Sequence, residues 1–408
     1  MESAADSTWK GYSLAERDRR WNAVRQRAAD AGFDCIFIPL TVDPESLRSS
    51  SAGQRGLRSD IRYLAQMENG AMVLPTDPAK PPIVVNDRGR GNAWVSNVLP
   101  TAEGARASWG PAMAQALLDS GMERGRIGVS GLKSGKVTHV RAYEGVVNHT
   151  SFAEVKQRLP NATFEDATDV VGYVRYIKSE EEIECLRRAT LIAEAGLDEM
   201  IEVARPGVDE AYLYARVTER MLGLGSDHYH WALKTEQLGG PPHRTTEPPI
   251  GRRLQAGTLI TNEITGIWGG MVAQEDQPII LGQIPEAWKP VIQLQADLYE
   301  AGLEKMKPGT TFGDFIDFVN GFGAKRGMKS LTLLHGRGMG NDGPLLTPRA
   351  LGEKIRDVPF ERGNAWVWKP YGMSADEKIE FVFGGDVVVR DNGGEKLFRR
   401  QPGMISIP

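Results

Sequence analysis

The side chains best suited to moving protons in this 408-residue chain are six histidines and a few acidic residues set in apolar surroundings. His139 and His149 come early; His228, His230, His243 and His335 follow in the second half. Two of them have unusual neighbours. His243 follows the Gly-Gly-Pro-Pro turn of LGGPPHRT, and His335 ends the apolar run SLTLLHG and enters HGRGMGNDGP. Each places an imidazole beside a glycine-rich turn, where binding and catalytic groups concentrate. The acidic candidates lie in LITNEITGIWGGMVAQEDQP: Glu263 interrupts an apolar strand, Gly269 and Gly270 turn the chain, and Glu275 with Asp276 come on the returning strand. This hairpin is expected to bring Glu263 and Glu275 together. Two adjacent carboxylates repel, so one must keep a proton or both must meet a cation. The alternative for Glu263 is a solvent-facing place on an edge strand. No H-E-x-x-H, C-x-x-C or G-x-x-x-x-G-K-[ST] motif is present, which leaves the common zinc, thiol-redox and phosphate-loop readings without support.

The elements that must position these residues fall into two textures. Ser13 and Glu16 form a capping box before a helix through Trp21, Val24 and Ala28, and CIFIPL, AMVLP, PIVVN and RIGVSG read as short strands around a helix over 108–122. This part, 1–172, is expected to be an α/β domain. From about 173 the pattern changes. Ser179 and Glu182 make a second capping box opening a long amphipathic helix that ends before ARPG, and a second helix follows near 209–224. Strands near 259–265 and 279–281, helices near 285–307 and 312–326, and the strand-like runs SLTLLHG, AWVWKP and IEFVFGGDVVVR complete an α+β domain over 173–408.

Composition bounds the function. Lys plus Arg number 49 and Asp plus Glu 53, a net charge of −4, and this balance argues against a nucleic-acid partner. With 41% hydrophobic and 25% charged residues the chain reads as globular. Cys35 and Cys185 each sit in an apolar segment and read as buried free thiols of a reducing compartment. The opening MESAADSTWKGYS has neither a basic start nor an apolar core, and no apolar run reaches the roughly 18–20 residues of a membrane span. The expectation is a cytoplasmic protein with no membrane contact.

Four segments in order, YIKSEEEIECLRRA, GPPHRT, LITNEITGIWGGMVAQED and LLHGRGMG, resemble the creatinase and aminopeptidase P family of the pita-bread fold. The resemblance implies a pita-bread catalytic domain behind a smaller creatinase-type α/β domain. In the metallopeptidase members two Asp, one His and two Glu hold two metal ions that activate a water. By position these correspond to Glu263, Gln274 or Glu275, His335, Lys369 and Gly384, and a further family histidine corresponds to Asp342. A lysine cannot coordinate a metal, so the resemblance implies a site without metal or other cofactor, in which the Lys369 ammonium neutralises Glu263 and Glu275. Creatinase in turn implies His243 as general acid/base and Glu275 as its partner or as the base for water. His335, Arg337 and Asp342 would orient or bind substrate. The alternative for Lys369 is a purely structural salt bridge.

Trp231, Trp268, Trp366 and Trp368 lie in or beside these segments, with Tyr371 close by. Alternation puts Trp366 and Trp368 on one face, suited to an aromatic or onium substrate, the alternative being that they fill the core. The preferred function is metal-independent hydrolysis of a C–N bond in a small non-peptide molecule. A lyase cleaving C–S, C–C or C–O bonds is the second reading, and a non-catalytic binding module the third. The resemblance also implies a homodimer in which the small domain of one subunit closes the site of the other. Arg58, Asp60, Arg62 and Tyr63 of the loop and strand LRSDIRYL are the expected contacts, with surface charge as their alternative role.

Overall fold

The computed structural model describes residues 11–40, 59–67, 70–87, 89–101, 109–138, 145–227, 231–238, 243–245, 251–347 and 355–408, with the backbone alone for 243–245. Among these residues the chain divides into two compact units. The first runs to Tyr176 and includes Met339–Asp342; the second comprises Ile177–Gly338 and Gly343–Pro408.

In the first unit, helix α1 (Leu14–Asp30) begins where the Ser13 hydroxyl accepts the Glu16 N–H, and it buries Trp21, Val24 and Ala28 at helical spacing. The apolar runs become strands β1 (Cys35–Ile38), β2 (Ala71–Pro75), β3 (Ile83–Asn86), β4 (Val98–Pro100), β5 (Arg126–Val129) and β6 (Thr163–Asp166). They form one mixed sheet in the order β4-β3-β2-β1-β5-β6. The helices are α2 (Ser59–Ala65), α3 (Gly110–Asp119), α4 (His149–Arg158) and α5 (Thr168–Tyr176). Phe37, Val73, Met113, Leu117, Ile127 and Val155 join sheet and helices in one apolar cluster. The SDIRYL stretch, expected as a strand, is the helix α2: Asp60, Ile61 and Leu64 are buried at the one- and three-residue steps that a helix places on one face.

In the second unit, Ser179 and Glu182 complete a reciprocal capping box at the start of α6 (Glu180–Val203), and Asp209 caps α7 (Glu210–Gly223). Next come β7 (Ala232–Gln237), β8 (His243–Thr245), β9 (Thr258–Glu263), the hairpin β10 (Ile267–Trp268) and β11 (Met271–Val272), and β12 (Ile279–Leu281). A one-turn helix, Glu286–Trp288, leads into α8 (Lys289–Lys305), followed by α9 (Phe312–Ala324). The remaining strands are β13 (Lys329–Leu331), β14 (Leu334–Gly336), β15 (Leu345–Leu346), β16 (Ala365–Trp368), β17 (Tyr371–Met373), β18 (Glu380–Val382), β19 (Gly385–Arg390), β20 (Gly393–Lys396) and β21 (Ile405–Ile407).

Two five-stranded sheets, β21-β12-β9-β7-β8 and β15-β14-β16-β19-β20, carry the site, with β13-β17-β18 beside them. Each large sheet has one face on helices. Leu233, Ile260 and Ile264 pack with Leu197, Leu213 and Val217 of α6 and α7. The other sheet turns Trp366 and Trp368 toward α9, against Phe312 and Phe315 at ring separations of 5.4 and 5.1 Å. Alternation then sends the intervening residues, Val367 and Lys369, to the opposite face. Among the described residues no helix is long and apolar enough to cross a membrane. Cys35 is buried in β1, Cys185 is half-buried on α6, and both are free thiols.

Candidate active site

Register decides which carboxylates meet. Across the hairpin Ile264 and Glu275 exchange both backbone hydrogen bonds, each at 2.9 Å, so Glu263 lies beside Asp276 rather than Glu275. A shift of one residue moves a side chain to the other face of a strand. The pairing of Glu263 with Glu275 expected from the sequence is therefore replaced by Glu263 with Asp276. The Lys369 ammonium binds both, at 3.0 Å from Glu263 Oε1 and 3.2 Å from Asp276 Oδ2.

Lys369 is held from behind. Its N–H donates to Leu333 O, and the buried Gln295 amide donates to Pro370 O and Phe383 O, tying together the two chains that flank it. Burial opposes its charge, but Asp276 and Glu263 outweigh burial and hold the ammonium above its ordinary value. One cation serves two carboxylates, and Glu263 takes the shorter hydrogen bond. Burial consequently pushes Asp276 up to about 6, against the pull of Lys369 and with the push of Glu263.

Behind Asp276 lies a fully buried polar tier. Gln274 Nε2 donates to Asp276 Oδ2 at 3.2 Å, and its amide oxygen accepts from Arg337. Asp386 Oδ2 accepts the Gln274 N–H and the Thr190 hydroxyl. Burial raises Asp386 to about 7 against the Arg337 charge. Glu275, on the opposite face of its strand, is buried near Glu194 and Asp386; burial and then these two carboxylates raise it well above the ordinary range.

Glu263, Asp276 and Lys369 line a cavity of about 410 Å³. Tyr371, Lys234, Glu236, Glu380, Trp288 and Leu333 are among its walls. Tyr371, Glu263 and Lys369 are site candidates drawn from the sequence, which noted Asp276 only as the neighbour of Glu275. Lys234 and Glu236 follow from β7 alternation once its other face is known to carry Leu233. For Trp288, in a one-turn helix, the sequence offers no signal.

Other candidates lie elsewhere. His243 stands on β8 with its Cα opposite Thr235, and its side chain is outside the described residues. His335 is buried on β14 between Leu345 and Val367, on the Lys369 face of its sheet but not on the cavity wall. Trp231, Trp366 and Trp368 belong to the core, which corrects their expected place in the pocket, and Trp268 is half-buried. Trp366 and Trp368 face the helices, and Trp231 stacks on Tyr214 at 4.3 Å. Trp268 lies under the Arg188 guanidinium at 4.8 Å. Asp342, expected to bind substrate, is in the first unit and pairs with the buried Arg175, which also binds Asp60 at 2.5 Å. Asp60 further accepts the Ser130 hydroxyl, and the Tyr63 hydroxyl donates to Val174 O. Asp60 and Tyr63 thus have hydrogen-bond partners within their own unit. Arg62 is half-buried on α2, and Arg58 is outside the described residues.

The residues present do not fit the pair of metal ions that the resemblance implies for peptidase members. Lys369 holds one of the ligand positions and its ammonium is bound to Glu263, which holds another, while the Gln274 oxygen is engaged by Arg337. At Gly384 a Cβ would come within 2.0 Å of Trp368 O and 2.7 Å of the Lys369 Cα, so the last ligand position has no room for any side chain. Among the described residues no group of three His, Cys, Asp or Glu is placed to hold a metal.

Comparison with known proteins places this geometry in a family. The model of metallopeptidase family M24 matches residues 184–391. An uncharacterized hydrolase/peptidase, y4tM of Sinorhizobium fredii, is 30% identical over 167 residues, 39% of this chain and 41% of that protein. This chain spans about two fifths of the length of such hydrolase/peptidase relatives. A Bacillus creatinase is 21% identical over 332 residues, 78% of this chain and 74% of the creatinase. Among solved structures, the X-Pro aminopeptidase of Thermotoga maritima superposes with a TM-score of 0.73 at 16% identity, covering 95% of this chain and 99% of that one. The chain belongs to metallopeptidase family M24 and has its pita-bread fold.

Proposed function

We propose that the cavity is the active site of a metal-independent hydrolase that cleaves a C–N bond in a small non-peptide molecule. The observation that carries this reading is the Lys369 ammonium bound to Glu263 and Asp276 on the cavity wall. A volume of about 410 Å³ suits a compact metabolite. The similarity to creatinase over most of the chain supports a small-molecule substrate.

Asp276 has the properties of a proton carrier. It titrates at about 6, so near neutrality it is ionised yet close enough to titration to return a proton. In the proposed reaction Asp276 takes a proton from water as the water oxygen bonds to the carbon of the C–N group. The Lys369 ammonium faces the negative charge that collects on the substrate heteroatom, and Glu263 keeps the ammonium in place. Asp276 then gives its proton to the nitrogen as the C–N bond breaks, and the amine leaves. This moves to Asp276 the role that the sequence assigned to Glu275. His243 is proposed as a second acid/base group, on the strength of the creatinase resemblance. A cytoplasmic homodimer belongs to the same reading, and sedimentation equilibrium tests the dimer.

The functional test is amine or ammonia release from a panel of small amides, amidines and guanidino compounds. The wild type is expected to turn over a member of the panel. Asp276→Asn and His243→Ala should each lose about a hundredfold or more, with His243→Ala melting as the wild type does. Full activity in Asp276→Asn, or cleavage confined to Xaa-Pro dipeptides, would overturn the proposal.

A further inference from the structure

Arg337 and Gln274 are fully buried, and neither reaches the cavity wall. A glutamine amide can present either its oxygen or its NH2 to a neighbouring carboxylate, and the group at its other end decides which. Here that group is a guanidinium, a donor with no acceptor, so it must meet the amide oxygen. The NH2 is then left to donate to Asp276 Oδ2 at 3.2 Å. Both ends of this relay are fixed by the fold. The Arg337 N–H donates to Ala365 O at 2.8 Å, which sets its side chain on the Lys369 face of the sheet, and the Gln274 N–H is pinned by Asp386 at 2.9 Å.

We propose that Arg337 is a positioning residue that, by donating to the Gln274 oxygen, turns the amide NH2 toward Asp276 and keeps that carboxylate ready to accept a proton. The inference rests on the proposed role of Asp276 as the base. A flipped amide would aim an oxygen at Asp276 and favour the acid form, which cannot take a proton from water. Among the described residues, the other charged or titratable groups around Asp276 include Lys369 on the β16 side, Glu263 of β9, Tyr371 of β17, Asp386 of β19 and the adjacent Glu275. Lys369 favours the carboxylate and the three acids oppose it, so the amide works alongside Lys369.

The test follows the Asp276 carboxyl directly, by 13C NMR titration of protein labelled at aspartate, its signal assigned by loss in Asp276→Asn. Gln274→Met removes the donor to Asp276 together with the oxygen that accepts from Arg337, and Arg337→Met frees the amide to turn. The midpoint is expected to rise by about one pH unit in both, with partial return in Arg337→Lys. With a turnover substrate in hand, the acid limb of the kcat/KM profile should move by the same amount while the plateau changes little. Because Arg337→Met can fail to fold, Gln274→Met carries the decision: an unmoved midpoint there overturns the inference. A shifted midpoint in a protein that hydrolyses nothing would keep the positioning role and overturn the hydrolase reading instead.

Discussion

Lys369→Met removes the one cation shared by Glu263 and Asp276 and leaves side-chain volume nearly unchanged. In the wild type Asp276 already bears a penalty. Its carboxyl is raised from 3.8 to about 6, so its contribution to stability is full below about pH 3.8 and is lost as pH rises through 6. A difference of about two units, at about 1.4 kcal/mol each, makes that loss about 3 kcal/mol. Without the ammonium both carboxylates face a site where Lys369, Asp276 and part of Glu263 are closed to water. Breaking a buried pair by removing one partner costs about 3–5 kcal/mol. For a unit of 150–250 residues this corresponds to a melting temperature lower by roughly 6–20 °C. The deficit has a sign in pH: at pH 5 Asp276 is protonated in wild type and variant alike, so less is lost there than at pH 8. Calorimetric melting of both proteins at pH 5 and pH 8 is the assay, with Glu263→Gln/Lys369→Met expected to recover part of the loss. A loss below about 1 kcal/mol, or one equal at the two pH values, would refute the assignment of Lys369 as the shared cation.

Gly384→Ala should destabilise by at least the 1–3 kcal/mol typical of overpacking, read from the urea midpoint, because its Cβ meets Trp368 O and Lys369 backbone that cannot retreat. An unchanged midpoint would mean that strand β16 is not where it is described. Trp368→Ala should cost about 3–5 kcal/mol as a core deletion, whereas Trp288→Ala should cost under about 1 kcal/mol and instead weaken ligand binding. Arg175→Met strands the buried Asp60 and Asp342 carboxylates and should cost about 3–5 kcal/mol, measured by denaturant unfolding with fluorescence detection.

What the sequence made legible was local. The Ser179 and Glu182 box declares the start of α6 because it is made by side chain and backbone three residues apart. Apolar runs such as CIFI and AMVLP became strands within a residue or two of their expected ends. The choice between Glu275 and Asp276 was not local. It depends on how tightly the chain turns around Gly269 and Gly270, and one residue of register reverses which carboxylate meets Lys369. The tryptophans show the same limit. Alternation correctly placed Trp366 and Trp368 on one face, but which face is core depends on where α8 and α9 come to rest. SDIRYL was misassigned because its Tyr63, Asp60 and Arg62 suit a strand edge as well as a helix turn, and only partners such as Ser130, Val174 and Arg175 settle it. The Gln274–Arg337 contact joins residues 63 positions apart and carries no sequence signature.

The central claim, that a fixed ammonium takes the place of metal in this M24 protein, is tested most directly by metal content. Purified protein would be analysed for manganese, zinc, iron and cobalt, then melted with and without chelator and with each ion added in excess. Well under one ion per chain is expected, with a melting temperature indifferent to chelator and to added metal. One or two ions retained per chain, with a melting temperature that falls on chelation, would contradict it.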